Sequence, residues 1–156
     1  MRDFVKEVKE FNAIAGTPEV FDKRKAALYT GLIFEELAEL IESLQVTGDE
    51  STAWNDVKVF LDDMGTKFKS GEYDYTFDTV DRVEFLDACV DISVVSMGAG
   101  IAIGGDIEGA CLEVSANNLS KFPLVDGVRT VLKDDNGKIM KPADFQRVEL
   151  SKYIRG

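Results

Sequence analysis

The feature that most constrains the fold is a helical repeat of apolar residues along much of the chain. Between about Asp22 and Leu44, the apolar residues Leu37, Leu40, Ile41 and Leu44 recur at intervals of three and four positions. This spacing puts them on one face of an α-helix, because a helix turns once in about 3.6 residues. The pattern therefore predicts a long amphipathic helix over this stretch.

Similar patterns predict four further helices, separated by glycine, proline and helix-capping residues. They cover residues 3–14, a stretch that follows Ser51 as its N-cap and contains Trp54 to Leu61, residues of about 79–103, and residues from the N-cap Asp106 to about 119. The segment KSGEYDYTFD (69–78) predicts a loop, and Asp135-Asn136-Gly137 between two apolar runs predicts a β-hairpin. We expect an all-α fold, a four- to five-helix bundle with a C-terminal extended or hairpin tail.

Length and composition predict one domain. A chain of 156 residues that is 45% hydrophobic can bury one core, so we expect a single domain over 1–156, with core helices in 3–120 and a tail in 121–156. The start of the chain lacks a signal-peptide pattern. The uncharged run 92–105 is too short for a membrane span and is interpreted as part of a buried helix. Cys89 and Cys111 lie in apolar helical contexts typical of reduced thiols. These features predict a cytoplasmic protein with no membrane partner.

The charge and the lack of histidine exclude several classes of function. The net charge is −11, from 29 acidic and 18 basic residues, which argues against nucleic-acid binding through a broad basic surface. The absence of histidine excludes Ser-His-Asp triads and His-ligated zinc. Residues 121–156 are an exception to the acidic character, with 8 basic and 5 acidic residues. A basic tail of this kind suits phosphate groups.

A group of glutamates in FEELAEL lies beside the apolar stripe of the second helix. Glu36 and Glu39 are three positions apart, whereas Glu35, Glu39 and Glu42 follow intervals of four and three. Like charges at these spacings repel on an exposed helix by a few tenths of a kcal/mol per pair. Taken alone, the group would be interpreted as a solvated acidic face.

The predicted fourth helix carries a second acidic group, Glu84, Asp87 and Asp91, which share one helical face among apolar neighbours. A solvated face is seldom flanked by so many apolar residues, and buried carboxylates without partners cost several kcal/mol. Two such helices facing each other could share divalent cations. Oxygen ligands without His or Cys favour Mg²⁺ or Mn²⁺.

The EExxE motif from Glu35 to Glu39, followed by a second acidic helix, resembles the all-α nucleoside triphosphate pyrophosphohydrolases. This superfamily includes MazG-like proteins, dimeric dUTPases and phosphoribosyl-ATP pyrophosphohydrolases, and the chain is most similar to compact phage-type members. The resemblance continues, in order and over nearly the whole chain, through EFNAIAG, EFLDACVDISVVSMGAGIAIGGD, EVSANNLSKF and NGKIMKP.

Two features depart from the family pattern. The family's ExxD motif fits Glu84 to Asp87, but alignment on Gly98 makes Asp91 the terminal ligand and puts Ala88 in place of the Glu. We therefore take Asp87 and Asp91 as expected ligands and Glu84 as a further candidate. Residues 48–78 are longer than the family's usual linker, and the resemblance suggests no role for them.

The resemblance implies a Mg²⁺-dependent enzyme, with Mn²⁺ as a substitute, that cleaves a (d)NTP to (d)NMP and pyrophosphate in nucleotide-pool management. It implies a homodimer or a dimer of dimers. The acidic net charge, separately, predicts no nucleic-acid partner. The implied metal ligands are Glu35, Glu36, Glu39, Asp87, Asp91 and Glu84, and Glu35 or Glu36 would be the general base. The implied substrate-binding residues are Phe11 and Asn12 for the base, Asn118 for sugar or phosphate, and Lys121, Lys138 and Lys141 for the phosphates.

Each of these roles has an ordinary alternative. Phe11 could be a core residue, Asn118 a helix cap, and the lysines plain surface charges. The whole protein could instead be an acidic mimic of nucleic acid, a structural helical bundle, or a phosphohydrolase of a non-nucleotide diphosphate.

Overall fold

The computed structural model describes residues 2–133 and 140–155, and this part of the chain is mainly helical. The helices are α1 (Phe4–Ile14), α2 (Lys23–Ser43), α3 (Ser51–Ser70), α4 (Arg82–Ala102) and α5 (Ile107–Leu119). Shorter elements are two 3-10 turns (Asp74–Asp78 and Ser151–Tyr153) and the strands β1 (Leu124–Val125) and β2 (Val128–Arg129). The prediction of an all-α fold with five helices is confirmed.

Aspartate side chains cap the start of three helices. Asp3, Asp22 and Asp106 each accept a hydrogen bond from the backbone N–H three residues later, as good N-caps do. The start of α3 differs from the prediction, because Ser51 is its first helical residue and the N-cap is Glu50, which makes no side-chain capping bond. The N–H of Ser51 donates instead to the carbonyl of Gly48 at 3.1 Å.

The chain divides into two compact units, which we describe one at a time. The terminal unit comprises Met1–Pro18 and Val83–Gly156, and the central unit comprises Glu19–Arg82. The prediction of a single domain over 1–156 stays a prediction.

Helices α2 and α3 form the body of the central unit and run in opposite directions. They meet at two buried glycines, Gly31 and Gly65. A Cβ atom on Gly31 would lie 2.8 Å from the Gly65 carbonyl oxygen, and one on Gly65 would lie 3.0 Å from the Gly31 carbonyl oxygen. The lack of side chains here lets the two backbones touch.

Four aromatic rings extend the core of the central unit beyond the end of α3. The Phe68 ring centroid lies 5.7 Å from that of Phe34, 5.4 Å from that of Tyr73 and 6.5 Å from that of Phe77. Phe77 belongs to the Asp74–Asp78 turn and is only 5% exposed. The stretch predicted as a loop is therefore partly helical and buried, and residues 48–78 provide half of the unit's core.

Helix α1 packs on α5 in the terminal unit. The Phe11 ring lies 5.0 Å from the ring of Phe122, which is 1% exposed, and Leu119 is also buried. The end of the chain returns to this unit, where the Tyr153 hydroxyl donates to the Glu113 carboxylate at 3.0 Å.

A short hairpin follows α5. Strands β1 and β2 pair antiparallel around Asp126 and Gly127, whose φ angles are 52° and 81°. Two successive positive φ angles are typical of a type I′ turn, which favours Asp-Gly. The predicted hairpin turn at Asp135-Asn136-Gly137 lies outside the described residues.

Helix α4 is exposed along its length, and none of its residues is buried. Val83 is 75% exposed, Leu86 64%, Val94 63% and Val95 67%. The prediction of a buried helix is thus wrong for the single chain, because these apolar side chains meet solvent. By length and composition alone, α4 is long and apolar enough to cross a membrane, with a mean hydropathy of 1.6. A single helix of this kind is a weak indication of a membrane span.

Candidate functional site

The predicted glutamates of the first acidic group all lie on α2, in the central unit. The side chain of Glu35 is 43% exposed, and Glu36 and Glu39 are exposed. Their spacing therefore gives one accessible acidic edge along the helix.

Lysines of α3 lie beside this acidic edge. The Lys69 ammonium is 2.9 Å from a Glu35 carboxylate oxygen, and the Lys58 ammonium is 3.8 Å from Glu42. Lys58 also donates to Asp62 at 2.9 Å. Sequence analysis missed these two lysines, because helical spacing does not reveal which helices are neighbours. Glu35 and Glu42 thus have cationic partners within their own unit.

The acidic neighbours of Lys58 change its electrostatics. The hydrogen bond to Asp62 is the main cause that raises the pKa of Lys58, and the charges of Glu42 and Glu39 act in the same direction. Lys58 therefore stays protonated in ordinary buffers, and its positive charge reduces the repulsion between the α2 carboxylates.

The predicted carboxylates of the second group, Glu84, Asp87 and Asp91, all lie exposed on α4 in the terminal unit. The expectation that their apolar neighbours would exclude solvent is wrong for the single chain, since those neighbours are exposed as well. Desolvation therefore gives no reason for a cation here. The case for metal binding rests on ligand chemistry and on the family resemblance.

The donor chemistry suits Mg²⁺, which prefers carboxylate oxygens and needs neither imidazole nor thiolate. However, within residues 2–133 and 140–155, no three acidic or thiol side chains are gathered closely enough to hold a metal ion. The α2 and α4 groups belong to different units. Neither group alone is a preassembled metal site.

Three of the predicted substrate-binding residues come together in the terminal unit. The Lys121 ammonium donates to the Asn118 side-chain oxygen at 2.7 Å and lies 5.9 Å from the centroid of the Phe11 ring. All three residues are half-buried. The structure thus joins an aromatic ring, an amide and a cation that come from two separate sequence motifs.

This group has a structural role too. Phe11 packs on the buried Phe122, so the core alternative for Phe11 is supported. Asn118 uses its side-chain oxygen to hold Lys121, and this contact orients the ammonium group beside the ring. The amide nitrogen of Asn118 is on the opposite arm of the side chain and can serve as a donor.

The remaining predicted substrate-binding residues are less closely connected to this group. Asn12 donates from its side chain to the Val8 carbonyl at 3.0 Å, within α1. The Lys141 ammonium lies 5.0 Å from the Phe145 ring centroid and is exposed. Lys138 lies outside the described residues.

Comparisons of the chain with protein-family models, with curated proteins and with solved structures found no match.

Proposed function

We propose that the protein is a Mg²⁺-dependent nucleoside triphosphate pyrophosphohydrolase, which cleaves a (d)NTP to (d)NMP and pyrophosphate. The observation that carries the proposal is the contact of Phe11, Asn118 and Lys121. The Lys121 ammonium lies 5.9 Å from the Phe11 ring centroid and donates to the Asn118 side-chain oxygen at 2.7 Å. An aromatic face, an amide and a cation are the groups needed to hold a base, a sugar and a phosphate.

In this proposal, one set of residues binds the substrate and another set binds the metal. Lys121 offsets phosphate charge, with Lys138 and Lys141 as further cations, and Phe11 and Asn12 contact the base. Glu39, Asp87 and Asp91 bind Mg²⁺, with Glu84 as a further ligand. When bound, Mg²⁺ supplies charge neutralisation at the phosphates and a lowered pKa of bound water.

Glu35 or Glu36 accepts the proton of the attacking water in this proposal. Glu35 lies 2.9 Å from Lys69, so it must exchange that partner before it can bind a cation or take a proton. The structure thus predicts a rearrangement at Glu35 when substrate and Mg²⁺ bind.

The proposal includes a second copy of the chain as the partner. Helix α4 exposes many large apolar side chains beside its acidic face, and exposed apolar surface of this extent is typical of an interface. A homodimer or a dimer of dimers would cover it.

The deciding experiment offers the purified chain a panel of NTPs and dNTPs with Mg²⁺, with Mn²⁺, and with chelator. Products are separated by ion-exchange chromatography. We expect metal-dependent release of nucleoside monophosphate and pyrophosphate in equal amounts. Release of inorganic phosphate instead, turnover in chelator, or no turnover of any nucleotide would contradict the proposal.

One finding favours a second candidate, an acidic helical protein that mimics nucleic acid. Such a protein needs exposed carboxylates, and Glu84, Asp87 and Asp91 are exposed. Binding to a basic polypeptide, weakening steeply as salt rises, together with no nucleotide turnover, would support this function over the enzyme.

A further inference from the structure

A cavity of about 480 Å³ opens where α2 ends and α3 begins, inside the central unit. Its volume is in the range of about 300–1,000 Å³ typical of sites for small organic molecules. It is lined by residues of both helices and of the connection between them, and none of these residues belongs to the predicted metal or substrate groups. Any ligand here would therefore be additional to a triphosphate bound by those groups.

One side of the cavity is an aromatic surface. Trp54, the single tryptophan of the chain, lines it together with Ile41 and Val46. All three side chains are half-buried rather than packed into the core. An accessible indole beside aliphatic side chains favours a flat ring, because stacking keeps both apolar faces out of water.

Two side-chain amides, those of Gln45 and Asn55, lie on the rim of the same cavity, and both residues are exposed. Each amide carries one acceptor and two donors, so it can form a pair of hydrogen bonds with a ring edge that has a donor next to an acceptor. This is the edge pattern of a nucleobase.

Gln45 has a backbone conformation in which a side chain is unfavourable, so the presence of its amide at the cavity suggests a role there. Its φ angle is +50°, in the left-handed region, at the residue that follows the C-cap of α2. Glycine is usually favoured at this position because a Cβ atom is unfavourable there. The chain nevertheless has a residue whose amide reaches the cavity.

The charges at the cavity oppose a strongly anionic ligand. The Lys58 ammonium group, which lines the cavity, already contacts Asp62 at 2.9 Å and Glu42 at 3.8 Å. Glu42 itself lines the cavity and adds a negative charge. A neutral ligand is therefore favoured over a nucleotide with several phosphates.

The aromatic surface, the two side-chain amides and the neutralised ammonium group all favour an uncharged ring. We propose that this cavity binds a neutral nucleobase or nucleoside between Trp54, Gln45 and Asn55. The site is separate from the hydrolase site proposed above and needs no metal. Its test therefore does not depend on whether the protein cleaves nucleotides.

Because Trp54 is the single tryptophan, its fluorescence reports directly on the cavity. We expect adenosine, guanosine, cytidine or uridine, titrated into the full chain in chelator, to change this fluorescence saturably. Equilibrium dialysis with the same nucleosides gives the affinity independently. The corresponding triphosphates should bind on the order of tenfold more weakly, because their charge meets Glu42.

Two variants separate ligand binding from folding. Asn55→Ala should weaken nucleoside binding on the order of tenfold or more, through loss of a bidentate contact. Gln45→Gly should also weaken binding, yet raise the melting temperature, because glycine suits the left-handed φ. Gln146→Ala, which removes an exposed amide from the terminal unit, is the matched control and should change neither.

Quenching that rises linearly, with the same slope as for free N-acetyltryptophanamide, would overturn the proposal. Unchanged dialysis affinities in both Asn55→Ala and Gln45→Gly would overturn it as well. Absence of nucleotide turnover, or turnover retained in Glu39 or Asp91 variants, counts only against the hydrolase proposal, so the two failures can be told apart.

Discussion

The carboxylate of Glu7 connects α1 to the α5 helix and to the start of the chain. It accepts hydrogen bonds from Arg2 at 2.7 and 2.8 Å and from the Ser115 hydroxyl. These bonds lower the pKa of Glu7 from 4.5 to about 2, and the bond from Arg2 has the largest effect. Glu7 therefore stabilises the fold only in its ionised form.

The pH dependence of stability should show this. Since the pKa of Glu7 is lower in the folded than in the unfolded chain, its contribution is complete above about pH 4.5 and is lost as the pH falls towards 2. We expect Glu7→Gln to melt at a lower temperature at pH 7 and to lose less stability on acidification. Circular dichroism melts between pH 2 and 7 would measure both effects.

Glu10→Gln is the control for this prediction. Glu10 also lies on α1, but its contact with Arg129 is longer, at 3.7 Å, and its side chain is 53% exposed. Exposed ion pairs of this kind contribute little, so its melting temperature should change less. Identical pH profiles for Glu7→Gln and the unmodified protein would show that the Arg2 and Ser115 contacts do not stabilise the fold.

The ion pair between Glu35 and Lys69 gives a second prediction for a single side chain. The two side chains are 43% and 31% exposed, and such pairs contribute about 0.2–1 kcal/mol. Lys69→Met should therefore change stability little in chelator. If Mg²⁺ binds Glu35, removal of the competing ammonium should increase the rise in melting temperature that Mg²⁺ produces.

Lys67→Met provides the matched comparison, because Lys67 lies on the same helix and pairs with Asp63 at 2.7 Å. It should leave the response to Mg²⁺ unchanged. Equal responses of the Lys67 and Lys69 variants would mean that Glu35 does not bind the metal.

The packing of α2 on α3 depends on the contact between Gly31 and Gly65. A Cβ on Gly31 would come within 2.8 Å of the Gly65 carbonyl oxygen, so the helices would have to separate. Overpacking of this type costs about 1–3 kcal/mol. We expect Gly31→Ala to lower the free energy of unfolding by that amount in urea titrations.

Gly98→Ala is the matched helical substitution. A Cβ on Gly98 meets no atom within 4 Å, and alanine is favoured over glycine inside a helix by about 0.5–1 kcal/mol. Measured on dilute protein, this variant should therefore be as stable as the unmodified chain or more stable. Similar losses for both glycines would show that close contact is not what Gly31 provides.

Self-association of the chain should cover the apolar side chains of helix α4. Val94 is 63% exposed in the single chain, and we expect a second copy to cover it. Val94→Glu should then shift the protein towards monomer in sedimentation velocity at micromolar concentration, because a charge would enter an apolar interface. Val20→Glu, at a residue that is 75% exposed outside the helices, should leave assembly unchanged.

A monomeric unmodified protein would rule out this assembly. Binding of the unmodified chain to neutral lipid vesicles would instead favour a membrane role for α4, although Asp87 and Asp91 would make insertion of this helix costly.

Local signals explain which elements sequence analysis predicts well. Asp106 caps its helix as expected, because a cap depends only on residues nearby. Asp126-Gly127 is an equally local hairpin signal that the prediction overlooked. The packing of Phe77 on Phe68 depends instead on tertiary contacts. Phe77 lies in the segment predicted as a loop, and its ring is buried only because it packs against α2 and α3.

For the chain as a whole, the sequence predicts the members of each acidic group but not their surroundings. Helical period alone puts Glu39 on the α2 edge and Asp91 on the α4 face. It contains no information on the lysines that α3 brings to α2, or on the exposure of α4, because both follow from tertiary contacts. The contact of Phe11 with Lys121 was not predicted, because the family resemblance assigned each residue to substrate binding without indicating that the two side chains meet.

The last prediction concerns the metal ligands proposed on α2 and α4. If Glu39 and Asp91 hold the same Mg²⁺ ions, Glu39→Ala and Asp91→Ala should each abolish turnover. The double variant should be scarcely worse, because groups that act as one unit are not additive. Steady-state rates of pyrophosphate release would measure this, with Glu10→Ala as the control that should retain activity.

Stability should respond in the opposite direction. Carboxylates at helical spacing repel when no metal is bound, and Asp91 is exposed. In chelator, Asp91→Asn should therefore leave the melting temperature unchanged or raise it slightly. Mg²⁺ should raise the melting temperature of the unmodified chain, and much less that of the variant. If Asp91→Asn is markedly destabilised in chelator, Asp91 is a structural hydrogen-bonding residue, and the α4 ligands must be Glu84 and Asp87 instead.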